Sequence, residues 1–124
     1  MNVVDSNGWI EYFTDGPAAD FFAEPLSNAR ELIVPALCFY EVYRILLRES
    51  GQAAARAAAA HMTTGNVVDM DMQIALSAAA IGHELKLAMA DSVILATTRQ
   101  YDATLWTQDA DFARVPGVKY RPKK

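Results

Sequence analysis

The chain has 124 residues, is 52% hydrophobic and 21% charged, and carries a formal net charge of −4. That length closes one hydrophobic core without staples, and the composition excludes disorder and points to a single domain over residues 1–124. The acidic balance excludes a protein held on nucleic acid by a broad positive field, although it leaves room for a phosphodiester held by a few local cations.

In chain order, Asn2-Val-Val-Asp5 is a short β-prone run that predicts a first strand ending at Asp5. Ser6 then suits the N-cap of a helix through Phe13. Gly16-Pro17 punctuates the chain, and Ala18 to Leu26 reads as a second short helix anchored by Phe21 and Phe22. Glu31 to Val34 predicts a second strand, with Pro35 in the first turn of a helix that runs to Ser50 and stops at Gly51.

Gln52 to Met62 is dominated by alanine, which forms helix readily and predicts one packed closely on a neighbour. Asn66 to Asp69 is a third strand, and Ile74, Ala78, Ile81 and Leu85 recur at helical spacing on the next element. Asp91 opens a helix from Ser92 to Tyr101, Ala103 to Thr107 is a fourth strand, Ala110 to Ala113 forms one turn, and Val118 to Tyr120 is a last edge strand. Short strands alternating with helices give a three-layer α/β/α domain with a mostly parallel sheet of four or five strands. In such sheets ligands bind beyond the carboxyl ends of the strands.

The single cysteine, Cys38, rules out an intrachain disulfide and a Cys-based zinc motif, which suits a reducing cytoplasm. No apolar run approaches the roughly 18 to 20 residues that span a bilayer, so no membrane role is expected. Local cations are offered by Arg44, Arg48, Arg99, Arg114 and the tail from Lys119 to Lys124.

Four of the carboxylates occupy unusual places. Asp5 terminates a buried strand, and Asp109 follows the fourth strand by two residues, so both project toward one end of a parallel sheet. Glu41 has Leu37, Cys38 and Ile45 one turn away and so lies on an apolar helix face, where a lone carboxylate costs several kcal/mol without a cation. Asp91 begins a helix whose next turn holds Ile94 and Leu95.

Each has an ordinary reading: Asp5 and Asp91 as helix caps, Glu41 paired with Arg44 or Arg48, Asp109 and Asp111 as turn residues. One cation site explains all four together. Oxygen-only ligands suit Mg²⁺ or Mn²⁺. His61 and His83 read as surface or packing histidines. Phosphate-loop, dinucleotide-binding and serine-hydrolase motifs are missing from the sequence. A phospho-acceptor receiver module, with Asp69 as its weak candidate acceptor, and an inactive interaction domain are the alternative functions.

Four segments together resemble the PIN-domain ribonucleases and, within them, the small VapC-like toxins of toxin–antitoxin pairs. They are Val3-Val-Asp-Ser-Asn-Gly-Trp-Ile-Glu-Tyr-Phe13, Pro35-Ala-Leu-Cys-Phe-Tyr-Glu-Val-Tyr43, Leu87-Ala-Met-Ala-Asp-Ser-Val-Ile-Leu-Ala-Thr-Thr-Arg99 and Ala103-Thr-Leu-Trp-Thr-Gln-Asp-Ala-Asp-Phe112. The resemblance implies metal-dependent hydrolysis of RNA, with Asp5 and Asp91 as principal Mg²⁺ ligands and Glu41 and Asp109 completing the site. It gives Ser6 and Thr107 supporting roles toward water or phosphate oxygens. Asp109 is favoured over Asp111 as the fourth acid, with Asp111 capping or pairing with a cation. It also implies a homodimer silenced by a cognate antitoxin protein. Gly8 stands where a bulkier residue would firm the start of the first helix.

Overall fold

The computed structural model describes residues 1–123, so Lys124 of the basic tail lies outside the described residues. Five short strands form the sheet: β1 (Asn2–Val4), β2 (Leu32–Pro35), β3 (Asn66–Val68), β4 (Thr104–Thr107) and β5 (Val118–Tyr120). They lie in the order β3-β2-β1-β4-β5, and every pairing is parallel. Val3 and Val4 are fully buried because β1 is central, pairing with β2 through Val3 and Ile33 and with β4 through Val4 and Trp106.

Between the strands run α1 (Ser6–Phe13), α2 (Ala19–Leu26), α3 (Ala36–Ser50), α4 (Gln52–Met62), α5 (Met72–Leu85) and α6 (Met89–Gln100). The chain steps from β1 outward to β3, then crosses back to β4 and β5 on the other side of β1. The order therefore reverses between β1 and β4. That is the crevice where open α/β sheets place their ligands, at the carboxyl ends of the strands.

The alanine-rich α4 packs as its composition suggests. Ala55, Ala58 and Met62 are buried, and small side chains let it approach the buried Leu46 face of α3 closely. Gly51 ends α3 with φ of 91°, a conformation glycine adopts without steric cost.

Several expected boundaries shift for identifiable reasons. β1 ends at Val4, and the helix cap is Asp5 rather than Ser6, because the Asp5 carboxylate accepts the Gly8 N–H at 2.8 Å. β2 begins at Leu32, since Glu31 closes a 3-10 turn, and Pro35 remains extended as the N-cap of α3 rather than entering its first turn. α6 begins at Met89 instead of Ser92, and Ala88 at its cap position provides no side-chain hydrogen bond.

Gly8 does not loosen α1. A Cβ there would lie 2.6 Å from both a Phe22 ring carbon and Val4 Cγ1, so the missing side chain permits the close approach of α1 to β1 and α2.

Candidate functional site

Asp5, at the end of β1, is buried and held at both oxygens. Oδ1 accepts the Gly8 N–H and Oδ2 accepts the Thr107 hydroxyl from the end of β4. Thr107 Oγ1 in turn accepts the Asp109 N–H at 3.0 Å, which joins the two central strand ends into one hydrogen-bonded unit. Burial pushes the Asp5 carboxyl up to about 6, against the lowering effect of the Thr107 and Gly8 hydrogen bonds and with further raising by Asp109 and Glu41.

On the next side of the site, α1 meets α3. The Ser6 hydroxyl donates to Glu41 Oε1 at 2.6 Å. The alternative pairing of Glu41 with Arg44 or Arg48 does not form: Arg44 donates to the Tyr40 hydroxyl and Arg48 pairs with Glu49. Glu41 is half-buried, with its charge facing the other carboxylates instead of solvent cations.

Asp91 lies in the first turn of α6 and does not cap it. Partial burial first, and then the charges of Asp109, Asp5, Glu41 and Asp111, push its carboxyl up to about 6. Those four neighbours place Asp91 at the meeting point of acids from β1, α3 and the β4–β5 connection.

Asp109 caps the 3-10 turn Ala110–Phe112 by accepting the Asp111 N–H at 2.9 Å. The capping role considered for Asp111 thus belongs to Asp109. One carboxylate oxygen each from Asp91, Asp109 and Asp111 lies within 4.8 Å of the others, so Asp109 and Asp111 are both part of the acidic group.

A set of carboxylate oxygens with two raised carboxyls has the chemistry of a hard divalent-cation site, because a cation removes the repulsion that burial makes costly. Thiolate chemistry is absent: Cys38 is fully buried beneath the site, its Sγ 4.0 Å from the Val4 carbonyl oxygen, and burial drives its thiol pKa upward. His61 packs edge-on to Trp9, Tyr12 and Phe13, while His83 is exposed on α5. Asp69 is exposed after the edge strand β3, away from the central strand ends, so no acceptor geometry supports the receiver reading.

A model of the PIN domain matches residues 3–118. The chain belongs to the PIN domain family. Solved structures agree over nearly the whole chain. A toxin–antitoxin complex from Klebsiella pneumoniae has a TM-score of 0.80 at 26% identity, covering 96% of this chain and 96% of that one. A Mycobacterium tuberculosis VapC toxin described as cleaving the sarcin-ricin loop has a TM-score of 0.80 at 20% identity, covering 98% of this chain and 100% of that one. DNA-bound VapBC from Salmonella typhimurium has a TM-score of 0.75 at 18% identity, covering 98% of this chain and 97% of that one. A search of curated protein sequences found no match.

This PIN domain gathers the site residues expected from the sequence beyond the carboxyl ends of the central strands: Asp5 and Thr107 from strand ends, Ser6 and Asp91 from the first turns of α1 and α6, Glu41 from within α3, and Asp109 and Asp111 from the β4–β5 connection. Beside them lie Asn7, after β1, and Gln108, between Thr107 and Asp109, neither of which the sequence marks out. Their only signal is adjacency to residues that are.

Proposed function

We propose that the protein is a Mg²⁺-dependent endoribonuclease acting as the toxin of a toxin–antitoxin pair. The observation that carries this reading is the convergence of Asp91, Asp109 and Asp111 oxygens within 4.8 Å, beside the buried Asp5 and the half-buried Glu41, in a PIN-domain chain. Asp5 and Asp91 would be the principal ligands, as the resemblance implies, with Glu41 and Asp109 completing the site, and Asp111, for which capping was expected, offers a further carboxylate beside Asp91 and Asp109. Mn²⁺ satisfies the same oxygen-donor chemistry.

A bound divalent cation supplies Lewis-acid stabilisation of charge on the phosphoryl oxygens. The chain's own groups do the rest. Asp5 is fixed by Gly8 and Thr107, so its carboxylate costs no reorganisation when substrate arrives. Glu41, oriented by Ser6, accepts a proton from an attacking water, and Asp5 and Asp91, both near pKa 6 without cation, become fully ionised on loading. Without a cation the like charge of the acids repels phosphate, so cleavage depends on cation.

The toxin role draws on the Klebsiella, Mycobacterium and Salmonella structures, which are a toxin–antitoxin complex, a VapC toxin and DNA-bound VapBC. An antitoxin protein and a second copy of the chain are the proposed partners. Exposed apolar side chains support protein contacts: Met72, Leu76 and Met89 on α5 and α6, and Tyr40 with Leu47 on α3. Incubating the purified chain with labelled RNA, with and without Mg²⁺, tests the reading. Internal cleavage that EDTA abolishes and Asp91→Asn removes is the expected result.

A further inference from the structure

A second feature lies at the same sheet edge. The carboxyl ends of β1, β4 and β5, three neighbouring strands, deliver Asn7, Gln108, and Arg121 with Lys123 to the wall of a cavity of about 330 Å³, completed by Ile10 and Glu11 of α1. That volume falls at the small end of ordinary ligand pockets and suits one nucleotide.

The chemistry of the wall is unlike that of the acids beside it. Gln108 is 7% exposed and lines the cavity, while both chain neighbours, Thr107 and Asp109, are tied into the acidic network. A carboxamide carries donors and acceptors together, the pattern needed to read a base edge, and Asn7 adds a second. Glu11 is the one carboxylate of the wall, and its Oε1 accepts the N–H of Ala18, which lines the same cavity, at 2.9 Å, so Arg121 and Lys123 leave the lining with a net positive charge. Arg121 reaches the α1–α2 loop, where Nη1 donates to the Pro17 carbonyl at 3.3 Å. Lys119, the other cation nearby on β5, sits over the Trp106 ring at 4.5 Å.

We propose that this cavity is a subsite for one nucleotide of single-stranded RNA flanking the scissile phosphodiester, with its phosphate on Arg121 and Lys123 and its base against Gln108 and Asn7. The inference rests on the ribonuclease reading and deepens it, assigning sequence preference to Gln108 and Asn7. The physical need is plain: a polyanion must enter a site built from acids in a chain of net charge −4, so cations beside the site anchor a neighbouring phosphate.

The test has two arms. In the first, anisotropy of a 5′-labelled single-stranded RNA is measured with Asp91→Asn protein in EDTA, with and without Arg121→Ala and Lys123→Ala together. Affinity is expected to fall about tenfold, and the salt dependence to shallow by roughly one phosphate contact. In the second, Gln108→Ala in the otherwise unaltered chain is expected to redistribute cut sites on a mixed-sequence RNA pool and to raise KM more than it changes kcat. Circular dichroism and Tm matching the parent's establish that each variant is folded.

Unchanged affinity, salt slope and cut-site distribution in folded variants would overturn the subsite and leave a ribonuclease that does not use it. Binding lost with Arg121 and Lys123 in a chain that never cuts RNA would remove the ribonuclease reading, and the placement beside a scissile bond with it, leaving a cavity that only binds RNA.

Discussion

The Ser6 hydroxyl donates to Glu41 Oε1 at 2.6 Å, binding the first turn of α1 to the middle of α3. Because Ser6 immediately follows the Asp5 cap, this single bond sets the position of Glu41 relative to the end of β1. Hydrogen bonds to charged groups contribute about 1.5–3 kcal/mol. Ser6→Ala is expected to lower kcat for RNA cleavage by about tenfold or more and to weaken Mn²⁺ binding by calorimetry. Ser6→Thr, which keeps the hydroxyl, should recover most of both; equal losses in the two variants would mean that the hydroxyl does not position Glu41.

Without a bound cation the acidic cluster opposes folding at neutral pH. Asp5 and Asp91 have carboxyls raised from 3.8 to about 6, so between those values the folded chain binds more protons than the unfolded one. Their contribution to stability is complete below about pH 3.8 and is lost as pH rises through about 6. At about 1.4 kcal/mol per pKa unit the loss at pH 7 is about 3 kcal/mol for Asp5, and roughly 1 kcal/mol for the half-buried Asp91 after solvent screening. Asp91→Asn should therefore raise the metal-free Tm by a few degrees at pH 7.5, with the gain shrinking toward pH 5. Scanning calorimetry in EDTA at both pH values checks the sign.

Loading the site should reverse that penalty. A cation that binds the folded chain stabilises it in proportion to the logarithm of its concentration over Kd, about 2.7 kcal/mol at a hundredfold excess. Mg²⁺ and Mn²⁺ are expected to raise Tm in the unaltered chain, and the shift should disappear in Asp91→Asn with Asp109→Asn. Thermal denaturation with Na⁺ at matched ionic strength separates site binding from screening.

Gly8 offers a test of packing independent of the chemistry. A methyl group there meets Phe22 and Val4 at 2.6 Å, and overpacking of this kind costs about 1–3 kcal/mol. Gly8→Ala should lower stability in urea denaturation even though alanine is the better helix former by about 1 kcal/mol. A stabilised variant would show that α1 can move away from β1.

The layout of the fold and the members of the acidic set were legible in the sequence, because Val3-Val4, Leu105-Trp106 and the helical stripes report burial through their spacing. Their connections were not. Ser6 looked like a cap since a hydroxyl after a strand suits that role, but the adjacent Asp5 has the longer reach to Gly8 N–H, leaving Ser6 free for Glu41, thirty-five residues on. The start of α6 was invisible because Ala88, Met89 and Ala90 carry no capping side chain. Gly8 was misjudged on helix propensity alone, since the approach of Phe22 is tertiary. The cavity at Gln108 required three strand ends to be adjacent, which the order β1-β4-β5 supplies and local sequence does not.

The central claim is that carboxylates gathered at the β1 and β4 ends cleave RNA with a divalent cation. The most direct measurement is single-turnover cleavage of an end-labelled RNA by the purified chain and by its Asp5→Asn, Asp91→Asn double variant, each across a Mg²⁺ titration. Cleavage that rises with Mg²⁺ in the unaltered chain and falls at least a hundredfold in a folded double variant is the expected result. Full activity in the double variant, or cleavage indifferent to Mg²⁺, would contradict the account.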